Sequence, residues 1–422
     1  PKMDDRSLFR YHPGYQAATF DPALDWSAWS GQGNGFQGAV EMCNNNGACR
    51  KSDVAVMCPS YRVSGDEQHL TRGRANTLRL AVSGQLGPEA LSSDAMFDTM
   101  SLCVSCKGCK RECPTGIDMA KMKIEFLHQY YKKNSVPLKD RLIAYLPRYA
   151  HRMGRLSLLL NLRDQIPGLK SLSELVLGFS ARRNLPKWRG DQFRAEIEVP
   201  PEVDISTEGK DVVLLVDTFN TCFEPENARA ALAVLTAAGY SVHAAKPADK
   251  GRPLCCGRTF LSSGMVDEAR EEANRMITSL KPFVEKGIPI VGLEPSCLLT
   301  LRDEFPSLIP GDATDALSQQ AFLFEEFLVG EAAKGDLQLK LKAVPAKRAL
   351  LHGHCHQKAF AVMSSVQQVL AMVPELAVET VESSCCGMAG SFGYDAKHYD
   401  TSMALGELSL LPAVREADAD CL

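Results

Sequence analysis

The sequence lacks the features of a membrane-spanning, secreted or nucleic-acid-binding chain. No segment approaches the roughly 18 consecutive apolar residues of a membrane-spanning helix. The first residues, from Pro1 to Arg6, have no secretory pattern. The net charge is only −4, so the chain as a whole does not attract nucleic acid. These absences predict a cytoplasmic protein with no nucleic-acid partner.

Two further absences concern the N-terminal region. The chain begins with Pro1 and not with an initiator methionine, so we expect a fragment or a processed piece of a longer protein. The glycines between Gly31 and Gly38 do not form a dinucleotide-binding fingerprint, because no strand precedes them and no apolar helix follows. The 422 residues suffice for two to four domains of ordinary size.

Cysteine, by contrast, is abundant and clustered. The 15 cysteines are an odd number, which in a chain this long favours metal ligation in a reducing compartment over a disulfide scaffold. The densest cluster is Cys103-Val-Ser-Cys106-Lys-Gly-Cys109-Lys-Arg-Glu-Cys113-Pro114. This is the spacing of a bacterial-ferredoxin iron–sulfur site, in which the cysteine before proline ligates a second cluster. The spacing therefore predicts an electron carrier.

An upstream set of side chains offers the partner site that this spacing requires. Positions 43, 46 and 49 form a second triad whose middle residue is Asn46, and Cys58-Pro59 closes it. In crossed ligation, each Cys-Pro cysteine binds the cluster of the other triad. This arrangement predicts a complete [4Fe-4S] site, with the ligands Cys58, Cys103, Cys106 and Cys109. The second and incomplete cofactor-binding site would comprise Cys43, Asn46, Cys49 and Cys113.

The occupancy of the incomplete site stays open. It could hold a three-iron cluster, a four-iron cluster with Asn46 or water on one iron, or nothing. Alternatively, one cluster is held locally by Cys103, Cys106, Cys109 and Cys113, and Cys43 and Cys49 are structural.

The pattern along the chain predicts an α+β multidomain protein, in which a helical ferredoxin-like domain is followed by two duplicated α/β Cys-Cys-Gly domains. The predicted units are an irregular N-terminal arm (1–40), the ferredoxin-like iron–sulfur domain (41–135), a basic helical connector and linker (136–210), the first Cys-Cys-Gly domain (211–345) and the second, apparently truncated one (346–422). Buried strands alternate with helices from residue 211 onwards, which is typical of a parallel sheet with crossover helices.

The connector is strongly basic. Residues 139–190 contain eleven Lys and Arg against three acids, a local net charge of +8, with leucines interleaved. One interpretation is a solvated cationic face over a packed helix. The other is a docking surface for anionic lipid headgroups or for an acidic partner domain. Peripheral contact with the inner face of the membrane is therefore one of the alternatives.

The two α/β regions carry matching cysteines after their strands. The first has Cys222, Cys255, Cys256 and Cys297, and the second has Cys355, Cys385 and Cys386. Each Cys-Cys pair is followed by glycine, which permits a tight turn that lets both thiols converge. The carboxyl ends of parallel strands are where such sheets bind cofactors. We therefore predict a metal or redox site in each region.

Histidines surround one of these cysteines, in His352-Gly-His354-Cys355-His356. In an extended strand the three imidazoles would share a face, which suits zinc or a proton relay. The alternative is loop histidines that hydrogen-bond near a cluster. His356, next to Cys355, is the histidine that we include among the candidate metal ligands. The second region also ends before the counterpart of Cys297, so we expect truncation at the C-terminus.

Together, these motifs resemble the iron–sulfur half of flavin-linked 2-hydroxyacid dehydrogenases. Similar architectures occur in the glycolate oxidase iron–sulfur subunit, in the C subunit of anaerobic glycerol-3-phosphate dehydrogenase and in the B subunit of heterodisulfide reductase. The segments His12–Pro22, Cys43–Lys51 and Met57–Arg62 look closer still to the C-terminal half of large bacterial fused proteins of the D-2-hydroxyglutarate dehydrogenase type. Glu294 stands where heterodisulfide reductase has the first cysteine of a C-x-x-C pair, which puts a cluster of that kind in doubt.

The resemblance implies the function of the protein. An upstream FAD domain would take a hydride from a D-2-hydroxyacid such as D-2-hydroxyglutarate. Electrons would leave one at a time through the [4Fe-4S] cluster to a quinone or a flavoprotein. Zinc at the Cys-Cys-Gly sites remains an alternative. Two other functions stay open: a thiol–disulfide enzyme at the Cys-Cys pairs, and a scaffold whose metals only hold the fold.

Overall fold

The computed structural model describes residues 21–29, 35–50, 56–199, 210–418 and 420–422. Most of the predicted irregular arm, residues 1–20 and 30–34, lies outside this part of the chain. The end of the arm is helical, because α1 (Phe36–Glu41) buries Phe36, Ala39 and Val40. Trp26 lies edge-on against Phe36, with ring centroids 5.0 Å apart. Apolar burial therefore orders a segment that its glycine content suggested was irregular.

Short helices build the ferredoxin-like region. After α1 these are α2 (Pro59–Ser64), α3 (Thr71–Val82), α4 (Asp94–Ser101), α5 (Gly108–Glu112) and α6 (Met119–Tyr131), with 3₁₀ turns at Glu67–His69 and Ala90–Ser92. Apolar residues recur at helical spacing over 118–131, which predicts a helix. The structure confirms it as α6, which Asp118 caps by accepting a hydrogen bond from the Lys121 amide. The buried Glu125 carboxylate on α6 accepts hydrogen bonds from the Ala23 and Leu24 amides, so it fixes the N-terminal segment.

The connector is helical, as predicted. It comprises α7 (Leu138–Ala144), α8 (Leu146–Met153), α9 (Ser157–Leu160), α10 (Leu162–Gln165), α11 (Leu169–Leu177) and α12 (Ala195–Glu198), with a 3₁₀ turn at Gly154–Leu156. Its residues contact both α/β regions. Arg148 pairs with Glu272 of the first region, and Lys139 pairs with Asp395 of the second.

The first α/β region is built on a four-stranded parallel sheet in the order β2-β1-β3-β4. Its elements are β1 (Asp211–Leu215), α13 (Thr218–Cys222), α14 (Pro225–Ala237), β2 (Ser241–Ala244), α15 (Arg258–Ser262), α16 (Val266–Val284), β3 (Ile290–Gly292), α17 (Pro295–Asp303), α18 (Phe305–Leu308), α19 (Asp312–Gln320), β4 (Ala321–Leu323) and α20 (Phe324–Lys334). Val212 and Leu214 face one apolar core, and Val213 and Leu215 face the other. The core that contains Val213 and Leu215 continues into the ferredoxin-like region, so this region and the first α/β region share buried apolar surface.

The second α/β region has a two-stranded parallel sheet, β5-β6. Its elements are β5 (Arg348–Leu351), α21 (Cys355–Ala359), α22 (Met363–Ala371), β6 (Ala377–Thr380), α23 (Tyr399–Glu407) and α24 (Leu410–Glu416), with 3₁₀ turns at Phe392–Tyr394 and Ala396–His398. On the free edge of β5, the Leu350 amide donates to the Leu422 carbonyl at 2.8 Å, and the Leu422 amide donates to the Arg348 carbonyl at 3.0 Å. Leu422 is thus hydrogen-bonded to the edge of β5 that faces away from β6, just as β3 is hydrogen-bonded to the edge of β1 that faces away from β2.

The mixed helical and parallel-sheet architecture is confirmed, whereas the duplication and the five domain boundaries stay predictions. None of the helices in the described ranges is long and apolar enough to cross a membrane.

Candidate iron–sulfur and cysteine-rich sites

Four thiols of the ferredoxin-like region line one small cavity. They are those of Cys58, Cys103, Cys106 and Cys109. Cys58 immediately precedes α2, Cys103 and Cys106 lie in the loop after α4, and Cys109 is in α5. The structure therefore brings together the four side chains that crossed ligation requires.

The backbone around this cavity is strained at three residues that are not glycine. Cys58, Ser105 and Lys107 have φ values of 56°, 51° and 60°, in the left-handed region that non-glycine residues rarely adopt. Such strain clusters at functional sites, where the surrounding structure enforces it. At Gly108 an added Cβ would come within 2.9 Å of Val56 Cγ1, so the close approach of α5 to the Cys58 segment needs glycine.

The donor set fits an iron–sulfur cluster. The Thr71 amide donates to Cys58 Sγ at 3.1 Å, and the Met119 amide donates to Cys109 Sγ at 3.4 Å. Hydrogen bonds of this kind to sulfur tune cluster potentials. Burial raises the pKa of the Cys58 thiol to about 11 and that of Cys109 well above its usual value. A bound metal deprotonates its thiol ligands outright, so cluster binding would offset this cost of burial.

The incomplete ferredoxin-type site is less well assembled. Cys43 and Cys49 are buried, and burial first, then the neighbouring Cys43, raises the pKa of Cys49. Asn46 is exposed, and its side chain bonds within its own loop, accepting from the Ala48 amide at 2.8 Å. Cys113 Sγ lies 3.3 Å from Thr115 Oγ1. A role for Asn46 as an iron ligand would require this loop to rearrange.

The first Cys-Cys-Gly site gathers three thiols. Cys255, Cys256 and Cys297 line a second cavity, and Cys256 is hydrogen-bonded to both of the other two. Gly257 has φ +76°, and its amide donates to Cys255 Sγ at 3.3 Å. The glycine therefore makes the turn that aims both adjacent thiols at one place, as predicted from its position.

Two carboxylates accompany these thiols. Glu294 caps α17 by accepting a hydrogen bond from the Cys297 amide at 2.6 Å. Asp217 caps α13 and also lines the cavity. Burial and the neighbouring Glu294 raise the pKa of Asp217 to about 6. Sequence reasoning missed Asp217, although an aspartate directly after a buried strand and before a helix was a usable signal.

Cys222 is not at this site. It is buried at the end of α13 and does not line the cavity, whereas Thr218, the first residue of α13, does. Counted from the first residue of β1 and of β5, Thr218 and Cys355 occupy the same position, each opening the helix that follows the strand. By residue type, Cys222 looks like the counterpart of Cys355. By position relative to the preceding strand, the counterpart of Cys355 is Thr218. Ligation by Cys222 stays a prediction that the geometry does not support.

The second Cys-Cys-Gly site also gathers three thiols, those of Cys355, Cys385 and Cys386. A hydrogen bond with Cys355, together with burial, raises the pKa of Cys385 to about 12. Gly387 has φ +82°, and its amide donates to Cys385 Sγ at 3.3 Å. The turn is thus the same as at Gly257.

Of the two arrangements considered for the histidines, the structure favours the loop and not the extended strand. Because α21 begins at Cys355 and His354 caps it, this segment is not extended. His352 Nδ1 lies 2.7 Å from Ser383 Oγ, and His356 Nε2 lies 3.1 Å from the Ser105 carbonyl. Within the described ranges no three His, Cys, Asp or Glu side chains are placed to hold a single metal ion, so nothing supports zinc.

The second Cys-Cys-Gly site packs directly against the ferredoxin-type loop. His356 contacts the carbonyl of Ser105, which lies between Cys103 and Cys106. Burial raises the pKa of Cys106 well above its usual value, and the nearby Cys385 adds to this effect. The two groups of thiols are therefore neighbours in space.

A buried lysine ties the same loop to the first α/β region. Lys107 is only 2% exposed, and its ammonium pairs with Asp303 and Glu304 at the C-terminal end of α17. The first turn of α17 carries Cys297. One helix thus connects the first Cys-Cys-Gly site with the ferredoxin-type loop, an arrangement that the sequence did not reveal.

Comparison with known families identifies two kinds of domain at these sites. Residues 39–117 match the 4Fe-4S dicluster domain family, and residues 216–302 match a family described as the cysteine-rich domain. The first range contains all eight positions of the two ferredoxin-type sites, and the second contains the first Cys-Cys-Gly site. The chain therefore combines an iron–sulfur domain with a cysteine-rich domain.

The chain is similar in sequence to several oxidoreductases. The chain is 27% identical to D-2-hydroxyglutarate dehydrogenase of Pseudomonas putida, over 92% of the chain and 41% of that protein. It is 27% identical to the C subunit of anaerobic glycerol-3-phosphate dehydrogenase of Escherichia coli, over 62% of the chain and 64% of that subunit. It is 23% identical to the Escherichia coli glycolate oxidase iron–sulfur subunit, over 84% of the chain and 80% of that subunit. No solved structure matches.

These findings confirm the predicted resemblance to the iron–sulfur portions of such oxidoreductases. The chain spans about two fifths of the length of the D-2-hydroxyglutarate dehydrogenases that it matches.

Proposed function

We propose that this chain is the electron-transfer portion of an FAD-dependent D-2-hydroxyacid dehydrogenase, with D-2-hydroxyglutarate as the substrate. The observation that carries the proposal is the convergence of Cys58, Cys103, Cys106 and Cys109 on one small cavity. Similarity to D-2-hydroxyglutarate dehydrogenases along nearly the whole chain supports the substrate.

A [4Fe-4S] cluster held by these four residues would supply a one-electron carrier. The chain's own part is to hold the cluster away from water and to set its surroundings. The Thr71 and Met119 amides donate to the sulfurs, and the buried Lys107 places a positive charge in the ligand loop. The FAD domain would belong to the longer protein or to a partner subunit, and the acceptor would be a quinone or a flavoprotein.

The second ferredoxin-type site is proposed to bind a cluster of lower occupancy, since Cys43, Cys49 and Cys113 provide only three thiols. The second Cys-Cys-Gly site lies beside Ser105 and Cys106, so it is a direct neighbour of the complete site. We propose that Cys255, Cys256 and Cys297, and likewise Cys355, Cys385 and Cys386, would ligate a metal cluster and not a single metal ion, with His356 as a neighbour that contacts the ferredoxin-type loop.

The burial of three of the four paired cysteines argues against a thiol–disulfide enzyme. Reactive cysteines of that kind are accessible and have a lowered pKa. Cys255, Cys256 and Cys385 are at most 8% exposed, and the pKa of Cys385 is raised. A scaffold with redox-silent metal is distinguished from the proposal by spectroscopy.

The test compares Cys58→Ala with Cys113→Ala in anaerobically prepared protein. Crossed ligation predicts that Cys58→Ala removes the complete cluster, with a loss of about four irons per chain and of the reduced-state EPR signal. Cys113→Ala should retain that signal, because Cys113 does not line the cavity.

The opposite pattern, with the signal lost in Cys113→Ala and kept in Cys58→Ala, would establish local ligation. An EPR-silent wild-type protein without iron would overturn the electron-transfer role. Reduction of the cluster by D-2-hydroxyglutarate, but not by D-lactate or glycolate, in the FAD-containing protein tests the substrate separately.

A further inference from the structure

An exposed apolar surface covers part of the connector. We call it the leucine patch, and it consists of Leu156, Leu158, Leu159, Ile166, Leu172, Leu175 and Val176. Leu158 and Leu175 are 86% and 84% exposed. Single apolar side chains on a surface are ordinary, but a contiguous group of this kind marks an interaction site.

The helix α11 is inverted relative to a normal surface helix. Leu172, Leu175 and Val176 lie on one face, because side chains three and four positions apart are neighbours, and this face points to solvent. The polar residues face the protein: Ser173 Oγ accepts a hydrogen bond from Arg163 at 3.0 Å, and the Glu174 carboxylate accepts one from the Ala181 amide. Folding therefore stabilises a helix whose apolar face is left uncovered.

The two halves of the patch belong to one surface. Leu158 and Leu159 are on α9, and the other exposed face is on α11. The short helix α10 contacts both α9 and α11, and Ile166 ends it. The patch is thus a compact unit of the connector and not two unrelated exposures.

Cations without a protein partner lie beside it. Five basic residues of the connector are already neutralised by carboxylates: Lys139, Arg148, Arg163, Arg182 and Arg189. Within the described residues Arg152 and Arg155 form no ion pair with a carboxylate, and both are exposed immediately before Leu156. Arg152 and Arg155 are thus available next to the leucine patch, whereas those five basic residues are occupied by carboxylates.

We propose that the leucine patch, with Arg152 and Arg155, docks on the surface of an anionic phospholipid bilayer. The leucines would enter the boundary between headgroups and acyl chains, and the two guanidinium groups would pair with lipid phosphates. A protein partner fits less well, because protein interfaces favour aromatic anchors and the leucine patch contains none. This inference does not rest on the electron-transfer role, since lipid binding needs neither iron nor turnover.

The experiment is co-sedimentation of the purified 422-residue chain with phosphatidylglycerol–phosphatidylcholine vesicles and with phosphatidylcholine vesicles. We expect binding to the anionic vesicles, weakened by salt, and little binding to the neutral ones. The double variant Leu158→Glu/Leu175→Glu should lower the partition constant by about tenfold or more, because two leucines that would enter the bilayer are replaced by charged residues. Arg152→Gln/Arg155→Gln should lower it less and should reduce the salt dependence.

The control is Leu86→Glu, which changes a leucine that is 50% exposed in the ferredoxin-like region and should leave vesicle binding unchanged. Failure of the wild-type chain to bind anionic vesicles would overturn the proposal, as would undiminished binding by the double leucine variant. A dimer that dissociates in that variant without lipid, or a flavin-containing polypeptide that only the wild type retains, would assign the surface to a protein contact and overturn it too. Iron content and EPR, measured on the same samples, report separately on the proposed function.

Discussion

The first and second Cys-Cys-Gly regions build the same turn in different surroundings. At Gly257 and at Gly387 the glycine has a left-handed φ, and its amide donates to the sulfur two residues earlier at 3.3 Å. In the first region the third thiol comes from Cys297 on α17, after the third strand. In the second region it comes from Cys355, on the helix that follows the first strand.

This difference shows that the three-residue motif fixes the turn but not the set of thiols around it. The turn depends on local backbone sterics, which Cys-Cys-Gly sequences share. The third thiol depends on which helix the sheet places beside the turn. The two regions also differ in how they join the connector: through a fully buried carboxylate in the first, and through more exposed ion pairs in the second.

The largest expected effect comes from the attachment of the first region. Glu272 is fully buried and pairs with Arg148 of the connector and with Arg252 and Arg275. Glu272→Gln leaves three guanidinium groups without their shared counter-charge, so we expect a loss of about 3 kcal/mol in the free energy of unfolding. Urea denaturation followed by circular dichroism measures it.

The matched control is Glu271→Gln. Glu271 is 53% exposed and pairs with Arg148 and Arg252 as well. Solvent screens the Glu271 carboxylate, so we expect Glu271→Gln to lower the free energy of unfolding by less than about 1 kcal/mol. Equal losses in the two variants would show that burial of Glu272 does not distinguish this attachment.

The two turn glycines give the next comparison. A Cβ at Gly387 would come within 2.0 Å of the Ser402 carbonyl oxygen, whereas one at Gly257 would lie 3.1 Å from the Ala269 carbonyl oxygen. Both substitutions by alanine incur the left-handed penalty, and only Gly387→Ala adds a severe backbone clash. In urea unfolding we expect Gly387→Ala to lower the free energy of unfolding by about 3 kcal/mol, and Gly257→Ala to lower it by about 1–2 kcal/mol. A larger loss at Gly257 would contradict the difference in packing behind the two turns.

The attachment of the second region should be pH-dependent and smaller. Burial by itself would raise the pKa of Asp395, but hydrogen bonds from His398 and Lys139 hold it below its usual range. A carboxylate with a lowered pKa stabilises the fold above its unfolded-state pKa and loses this contribution as the pH falls. We expect Asp395→Asn to cost about 1 kcal/mol at neutral pH after solvent screening, and the difference from wild type to shrink below about pH 4.

Thermal unfolding of both proteins across this pH range provides the measurement. Asp400→Asn serves as the control, because Asp400 is 84% exposed in its pair with Arg182 and should contribute less than about 0.5 kcal/mol. If the stability difference between Asp395→Asn and wild type grew as the pH fell, the assignment of a lowered pKa to Asp395 would be refuted.

Sequence reasoning succeeded where the physical cause is local. The helix over 118–131 follows from its capping aspartate and apolar period, and β1 follows from an apolar run. It left two arrangements open in the His352–His356 segment, an extended strand and a loop. There the capping side chain of His354 starts a helix at Cys355, and tertiary packing sends His356 to Ser105 of a distant loop. The correspondence of Thr218 with Cys355 was likewise hidden, because it is defined by strand positions and not by residue type.

The sequence by itself determined the cysteine spacing, the glycine-dependent turns and the basic character of the connector, since each depends on residues a few positions apart. The spacing offered two groupings of the ferredoxin-type cysteines, and only the tertiary structure shows that Cys58 lies with Cys103, Cys106 and Cys109 around one cavity. It also decided that the second Cys-Cys-Gly site adjoins that loop, and that some connector cations are paired whereas Arg152 and Arg155 are free. These outcomes depend on contacts between segments that are tens to hundreds of residues apart in sequence. Packing of the shared apolar core brings these segments together, and local sequence patterns do not specify it.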